Sequence, residues 1–344
     1  MPKRPRVTVL TGDPSLPDTS KPGSRYNPED LDAMERMRVA LAELDRYELD
    51  FVDRHEGLVE RFMADPPGFV LNLCDVGFRN RARCELHVAA LLELLDVPYS
   101  GGGPSSMVLT TDKALIRMVA QSLGVPVPDE RFFATPEDAK TAVDTFAWPV
   151  LIKPNQTDGS LGITKDAVVS DRAGALGYLD MLSGLLPGRE VLVQEYLSGD
   201  EYGLVLIGNP DEGFYVPPSL VVDYSRLPAG LTPILSYESK TIPDSPYWTE
   251  IGFRPAELPA ETLGAMKEHA AKLFARLGCR DYARFDWRAD ANGVVKLLEM
   301  NVNPAWSFDG KMAIMCGLGG LPYGEMLSRI VEVARRRCGL PSAI

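Results

Sequence analysis

The chain has 344 residues, of which 45% are hydrophobic, and its formal net charge is −12 at pH 7. That length exceeds what one hydrophobic core usually serves, so two or three packed units are expected. An acidic chain is repelled by phosphate backbones and anionic lipids, which argues against nucleic acid or a membrane as a partner. The five cysteines are scattered without a C-x-x-C spacing, so we expect a cytoplasmic protein without a disulfide framework.

The first third of the chain alternates short apolar runs with segments of helical periodicity. The runs at 7–12, 47–52 and 68–73 predict buried strands, and residues 31–44 and 85–95 predict helices. Strand–helix alternation of this kind is typical of a parallel sheet in an α/β protein. We therefore predict an N-terminal α/β unit.

The remainder of the chain mixes strands and helices less regularly. After a glycine-rich break at 101–104, the predicted elements are a helix at 113–123, strands at 149–152, 167–169, 191–195 and 202–207, a helix at 261–277, and a strand–turn–strand pair at 283–288 and 294–299. The segment 217–259 is irregular and rich in Pro, Ser and Tyr. Long irregular segments in compact enzymes are often mobile lids, which is the role expected here.

The strongest chemical signal lies in the predicted strand pair near the C-terminus. Alternate residues of a strand face the same side, so Arg284 projects with Asp286, and Glu299 projects with Asn301. If the strands pair as a hairpin, these side chains converge, and carboxylate and amide oxygens suit Mg²⁺ together with phosphate. The alternative is the polar face of an exposed hairpin, but such a face usually scatters lysine and glutamate among threonines. The pattern favours a functional site.

A second signal is Lys153 at the end of an apolar strand, ahead of the glycine-bearing loop 155–163. A lysine in this position can place its ammonium beside phosphates while backbone N–H groups of the loop close over them. The segment is not a Walker A loop, because no G-K-S/T follows. A surface turn explains the same residues equally well when they are taken alone.

A third signal is the apolar strand that leads into Gln194, Glu195, Tyr196 and Leu197, with Glu201 shortly after it. A polar and aromatic linker of this kind could bind a purine edge and a ribose hydroxyl. Its alternative is a plain connector between strands, with a turn at 198–199.

In their order and spacing the three signals closely resemble the ATP-grasp superfamily, in particular the D-alanine–D-alanine ligase family, from about residue 71 to about residue 306. The resemblance implies an α/β fold (α+β overall) of the ATP-grasp type. Its expected parts are an N-terminal parallel α/β domain at 1–108, a small central lid domain at 109–193, and a C-terminal α+β domain at 194–344 that carries the lid segment 217–259.

The resemblance also implies a role for each matching residue, with ATP and Mg²⁺ as cofactors and Mn²⁺ as the alternative metal. The nucleotide would be bound by Lys113, Lys153, Gln194, Glu195, Tyr196, Leu197 and Glu201. The metal ligands would be Asp286, Glu299 and Asn301. Catalytic roles would fall to Arg284, which stabilises an oxyanion, to Lys240 in the lid, and to Ser160 in the central loop. Related enzymes are often dimers, so a homodimer is possible.

Four segments depart from the family pattern where it binds amino acids: 11–17, 74–81, 159–160 and 305–311. Because the nucleotide and metal positions persist, we predict an ATP-dependent carboxylate–amine ligase of specialised metabolism that forms an amide or dipeptide bond through an acyl-phosphate. The alternatives are the D-alanine–D-alanine ligase of cell-wall synthesis, an intramolecular ring closure, and a non-catalytic ATP-binding regulatory module. Candidate anchors for a substrate carboxylate are Arg79, Arg81, Arg83 and Lys311.

Overall fold

The N-terminal part of the chain forms a parallel three-stranded sheet. A computed structural model describes residues 4–18, 21–157 and 159–343; outside these ranges lie the extreme ends of the predicted first and last domains and Asp158 of the predicted phosphate loop. The sheet order is β2-β1-β3. Its strands are β1 (Arg6–Leu10), β2 (Glu48–Val52) and β3 (Val70–Asn72), and its helices are α1 (Pro28–Glu43), α2 (Leu58–Ala64), α3 (Glu85–Leu94) and α4 (Pro104–Thr111). Asn27 and Asp30 start α1 with a capping box, which satisfies its first backbone N–H groups.

The central part forms an antiparallel four-stranded sheet of order β4-β7-β5-β6. Its elements are α5 (Lys113–Ser122), β4 (Glu130–Phe133), α6 (Pro136–Thr141), β5 (Val150–Pro154), β6 (Val168–Val169), α7 (Arg172–Leu185) and β7 (Val191–Glu195). Ile152 and Val193 of the sheet pack against Leu179 of α7 in a core of their own. Ile234 and Tyr247, from the predicted lid segment, complete that core.

The C-terminal part is built on a six-stranded sheet of order β11-β10-β8-β12-β13, with β9 also paired to β8. Its strands are β8 (Glu201–Asn209), β9 (Gly213–Tyr215), β10 (Leu220–Asp223), β11 (Gly252–Pro255), β12 (Tyr282–Ala289) and β13 (Val295–Asn301). Its helices are α8 (Glu238–Thr241), α9 (Pro246–Thr249), α10 (Ala260–Arg276), α11 (Lys311–Leu318) and α12 (Tyr323–Arg337).

Strand β8 is buried along its whole length because helices cover both of its faces. Leu204 belongs to the same cluster as Phe274 of α10, whereas Val205 belongs to the cluster of Met312 and Ile330, from α11 and α12. Alternate residues of a strand face opposite sides, so a strand covered on both sides reads as a continuous apolar run. The predicted strand at 202–207 is an apolar run of this kind.

Two core clusters join the N-terminal and C-terminal parts into one packed body. The first contains Leu92 of α3, Ile116 of α5 and Met300 of β13, and the second contains Met37 of α1 with Val331 of α12. The helix α5 therefore packs with the C-terminal sheet as well as preceding the central sheet. The domain boundaries proposed from the sequence stay a prediction.

The elements predicted from periodicity are present, but the segment 217–259 is not irregular throughout. It contains β10, β11 and the short helices α8 and α9. Leu220, Val221 and Val222 are too short a run to stand out between prolines, yet β8 and β11 pair with them on both sides. The five cysteines are free thiols. In the part of the chain that the structure describes, no helix has the length and apolar character needed to cross a membrane.

Candidate active site

The predicted hairpin is present and brings its polar residues together. Strands β12 and β13 pair antiparallel, with Arg284 opposite Asn301 and Asp286 opposite Glu299. The intervening Phe285 points into the apolar cluster beneath, so the polar residues share the opposite face. On that face Arg284 Nη2 donates to Asp286 Oδ2 at 2.9 Å, and Asn301 Nδ2 donates to Glu299 Oε1 at 3.2 Å.

Both carboxylates of the hairpin are held in their charged form. Burial alone would raise the pKa of Asp286, but the neighbouring Arg284 and Lys311 charges lower that pKa to about 2. Burial opposes ionisation of Glu299 as well, and the nearby Lys113 and Lys240 charges outweigh it and lower its pKa. Ionised carboxylates at neutral pH are what a hard divalent cation requires.

The donor set fits Mg²⁺ that shares its coordination with phosphate. Asp286, Glu299 and the amide of Asn301 supply oxygen donors, and Mg²⁺ usually takes one or two carboxylates plus substrate oxygens. Within residues 4–18, 21–157 and 159–343, no group of three or more His, Cys, Asp or Glu side chains is arranged to hold a metal alone. The remaining donors would therefore come from water and from a bound polyphosphate.

Lysines from three other elements carry charges that act on the hairpin. Lys113 starts α5 and donates through Nζ to the Thr157 carbonyl at 2.7 Å, while Lys153 is the penultimate residue of β5 and is buried. Burial lowers the pKa of Lys153, and the charges of Glu130 and, more weakly, Glu299 act on it in the opposite direction. The pKa of Lys240 is likewise lowered by burial and raised in part by Glu299. The charges of the three predicted phosphate-binding lysines thus all act on Glu299.

The predicted base-binding segment divides between two sides of the strand. Gln194 Oε1 accepts from Lys153 Nζ at 3.3 Å, and Gln194 Nε2 donates to Glu130 Oε2 at 2.7 Å. Glu195 points elsewhere: it accepts from the Asp129 N–H at 3.0 Å and pairs with the ammonium of Lys296. Gln194 therefore lies beside Lys153, whereas Glu195 ties β7 to the residue before β4 and to β13 of the C-terminal sheet.

The last two members of the segment are Tyr196 and Leu197. The Tyr196 hydroxyl donates to the Pro233 carbonyl at 3.3 Å and accepts from Arg288 Nη2 at 3.2 Å. Leu197 is buried and offers an apolar surface only. The backbone N–H groups of Glu195 and Tyr196 already donate to the Asp129 and Pro149 carbonyls, so a flat base would have to use other backbone groups of the segment.

Glu201 is surrounded by groups that the sequence patterns did not single out. Its Oε2 accepts from the Tyr224 hydroxyl at 2.8 Å and from Arg288 Nη1 at 3.4 Å. Arg288 could have been found, because it lies two residues beyond Asp286 on the same face of β12. Tyr224 and Glu130 could not, since each arrives from an element whose pairing is non-local.

Ser160 connects the glycine loop to the lid and makes no hydrogen bond to the hairpin among the described contacts. Its hydroxyl donates to the Leu235 carbonyl at 3.0 Å. Two more bonds join the same segments: Tyr237 N–H donates to the Ile163 carbonyl at 2.7 Å, and Lys165 N–H donates to Glu238 Oε2 at 3.0 Å. A cavity of about 670 Å³ lies between α7 and this part of the lid, and its walls contain none of the predicted site residues. The catalytic role of Ser160 stays a prediction.

Three of the segments that depart from the family pattern meet beside the hairpin. Trp306 Nε1 donates to the Leu73 carbonyl at 2.7 Å, and Asn80 Nδ2 donates to the Asp13 carbonyl at 2.6 Å. An added Cβ at Gly12 would lie 2.2 Å from the Tyr26 hydroxyl and 2.5 Å from a Val76 methyl group, so these side chains would have to shift. The departing segments 11–17, 74–81 and 305–311 are therefore linked and form one continuous wall.

The four residues proposed to anchor a substrate carboxylate differ in how exposed they are. Arg79, Arg81 and Arg83 are exposed side chains of the loop before α3. Lys311 is largely buried and places Nζ 3.3 Å from Asp286 Oδ1 and 3.7 Å from Glu201 Oε1. Of the four, Lys311 is the one that reaches the charged cleft.

Comparisons with known proteins point to one family and one fold. The family model described as D-ala D-ala ligase C-terminus matches residues 119–332. The protein y4sG of Sinorhizobium fredii is 30% identical over 81% of this chain and 80% of its own length. The D-alanine–D-alanine ligase of Haemophilus influenzae is 28% identical over 78% of this chain and 88% of its length. The crystal structure of the Bacillus anthracis D-alanine–D-alanine ligase complexed with ATP superposes with a TM-score of 0.71 at 20% identity, covering 96% and 98% of the two chains. The predicted fold class is confirmed.

Proposed function

Because the chain belongs to the D-alanine–D-alanine ligase family of ADP-forming ATP-grasp enzymes, we propose that it joins the carboxylate of one amino acid to the amine of another at the expense of ATP. The proposed reaction activates the carboxylate as an acyl-phosphate, which the amine then attacks. ADP and inorganic phosphate are released, and the amide is the product.

The observation that carries this proposal is the meeting of opposite charges on the β12–β13 hairpin. Asp286 and Glu299 lie on one wall, and Lys113, Lys153 and Lys240 act on Glu299 from three other elements. In a chain of net charge −12, such a concentration of cations is what a triphosphate requires. Asp286 and Glu299, whose carboxylates these cations act on, would then serve as metal ligands.

Each part of the site would serve one need of the reaction. Asp286, Glu299 and Asn301 would hold Mg²⁺, which neutralises phosphate charge when it is bound. The lysines would orient the triphosphate for in-line attack. Arg284 would stabilise the oxyanion that develops as the amine attacks. The lid segment would keep water from the acyl-phosphate.

For the substrates, the comparisons favour D-alanine over the substrates of a specialised pathway. The Haemophilus relative bears the name of a D-alanine–D-alanine ligase, which supports that dipeptide as the first product to test. The wall formed by the departing segments lies where amino acids would bind. We therefore propose D-alanine for at least one of the two positions.

The test measures ADP release and product mass with purified protein, ATP and Mg²⁺. D-Alanine is offered alone, then with a panel of second amino acids, and finally replaced by L-alanine. Release that depends on D-alanine, with a product mass of the dipeptide, is the expected result. Asp286→Asn and Glu299→Gln should each lower the rate by about 10²-fold or more, whereas Asp211→Asn, an exposed turn residue, should not. Tight ATP binding without turnover on any pair would instead support a non-catalytic module.

A further inference from the structure

Lys311 lies where the family pattern has a glycine- and serine-rich segment, at the first position of α11. Its side chain extends back to the hairpin, and only 12% of that side chain is exposed. The ammonium lies 3.3 Å from Asp286 Oδ1 and 3.7 Å from Glu201 Oε1. It is thus shared between one proposed metal ligand and one proposed ribose ligand.

The two cations that contact Asp286 differ in their freedom to move. Arg284 Nε and Nη2 reach Asp286 Oδ1 and Oδ2 at 3.1 and 2.9 Å, and both residues belong to β12. The strand fixes the distance between them. Lys311 arrives on a flexible chain of four methylenes from the start of a helix. Lys311 is therefore the cation that can leave Asp286 at low cost.

Glu201 does not depend on Lys311 for its charge balance. The guanidinium of Arg288 lies 3.4 Å from Glu201 Oε2, and the Tyr224 hydroxyl donates to the same oxygen. Asp286 would likewise keep Arg284 after Lys311 leaves. A buried carboxylate that keeps one partner avoids the large penalty of an uncompensated charge.

We propose that Lys311 is a resident counter-ion of the metal site. Its ammonium lies 3.3 Å from Asp286 Oδ1, an oxygen that a divalent cation would also use, so it must move away before that cation binds. Two positive charges on one carboxylate oxygen repel each other, so the lysine weakens metal binding until a triphosphate supplies further negative charge. The inference rests on the proposed function in one respect, the assignment of Asp286 as a metal ligand.

The experiment titrates Mn²⁺ into nucleotide-free protein and follows free Mn²⁺ by electron paramagnetic resonance. Lys311→Met should bind Mn²⁺ about tenfold more tightly than the wild type, because a nearby like charge is gone. Lys311→Arg, which keeps the charge, should resemble the wild type. So should Lys272→Met, which removes an exposed lysine on α10. In the double variant Lys311→Met/Asp286→Asn the gain should disappear.

Equal Mn²⁺ affinity in the wild type and Lys311→Met, including absence of binding to both, overturns the proposal. So does a gain that survives in the double variant, since the ion would then bind elsewhere. Lys311→Gln provides a second neutral variant if the methionine variant is unfolded by circular dichroism. The titration contains no ATP and no amino acid, so its result is independent of whether the ligase assay succeeds.

Discussion

At the scale of single residues, the fold opposes ionisation of the Asp75 carboxyl group. It follows β3 in a half-buried position, in the wall formed by the departing segments. Burial raises the pKa of Asp75 to about 6, and nearby Lys21 and the indole of Trp306 oppose that rise. An unfolded aspartate ionises near pH 4. The folded state therefore retains a proton over a range in which the unfolded state has lost it.

This difference fixes the sign of a pH effect on stability. The folded state binds the extra proton between about pH 4 and pH 6, so the Asp75 contribution to stability is present below pH 4 and is lost as the pH rises through 6. Asp75→Asn removes the dependence. Between pH 4 and pH 7.5, the stability of the variant relative to wild type should rise by about 2 to 3 kcal/mol.

The measurement is denaturant unfolding of both proteins at several pH values. Asp211→Asn, which changes an exposed aspartate, serves as the control and should show no such trend. A constant difference between Asp75→Asn and wild type across the range would contradict the assigned burial of Asp75.

At this scale, the alternation of side chains along a strand decided which residues the sequence could place together. Arg284, Asp286, Glu299 and Asn301 lie on two consecutive strands, so period-two spacing and a turn suffice to place them together. Lys311 was recognised as basic but was expected to anchor a substrate. Its contact with Asp286 depends on how α11 packs against the sheet, and no local pattern contains that information.

At the scale of elements, the lid is tied to the central sheet by both polar and apolar contacts. Backbone and side-chain bonds link residues 235–238 to the glycine loop, and Ile234 and Tyr247 enter the central core. The sequence predicted this segment from its irregular composition. The strands β10 and β11 within it were missed, because their partners lie far away in the chain.

Loosening one tie should make the reaction less efficient rather than abolish it. Glu238→Ala removes the acceptor for the Lys165 N–H, and one hydrogen bond contributes about 1 kcal/mol. The lid should then open about fivefold more often, and more acyl-phosphate should be lost to water. The ratio of phosphate released to amide formed measures that loss.

Glu257→Ala is the matched control, since it removes an exposed glutamate near the end of the same segment. Its ratio of phosphate to amide should equal that of the wild type. If Glu238→Ala also leaves the ratio unchanged, the segment does not exclude water through this contact.

At the scale of the whole molecule, the three hydrophobic clusters do not follow the order of the N-terminal, central and C-terminal parts along the chain. Two clusters run through both the N-terminal and the C-terminal parts, whereas the central sheet belongs to a third cluster together with Ile234 and Tyr247 of the lid segment. Alternation predicted the N-terminal sheet because parallel strands produce a strong local signal. The joining of the two outer parts depends on contacts between distant segments, such as Met37 with Val331, which no local pattern reveals.

Because the central sheet and the outer parts have different hydrophobic clusters, a cavity in one cluster should loosen a different set of elements from a cavity in another. Leu179→Ala truncates a fully buried side chain of α7 in the central cluster, and such changes cost about 2 to 5 kcal/mol. Hydrogen exchange should accelerate in β5, β7 and α7, and also in the lid around Ile234 and Tyr247, because these residues share that cluster. Exchange in β1 and β12 should stay slow.

Leu273→Ala in α10 makes an equivalent cavity in the first cluster, which Leu92 of α3 and Phe285 of β12 share. Its effect should reach both outer parts and spare the central sheet. Exchange followed by mass spectrometry distinguishes the two patterns peptide by peptide. If both variants accelerate the same peptides, the central sheet is not an independent unit, and a lid that moves with it could not open while the rest of the molecule stays closed.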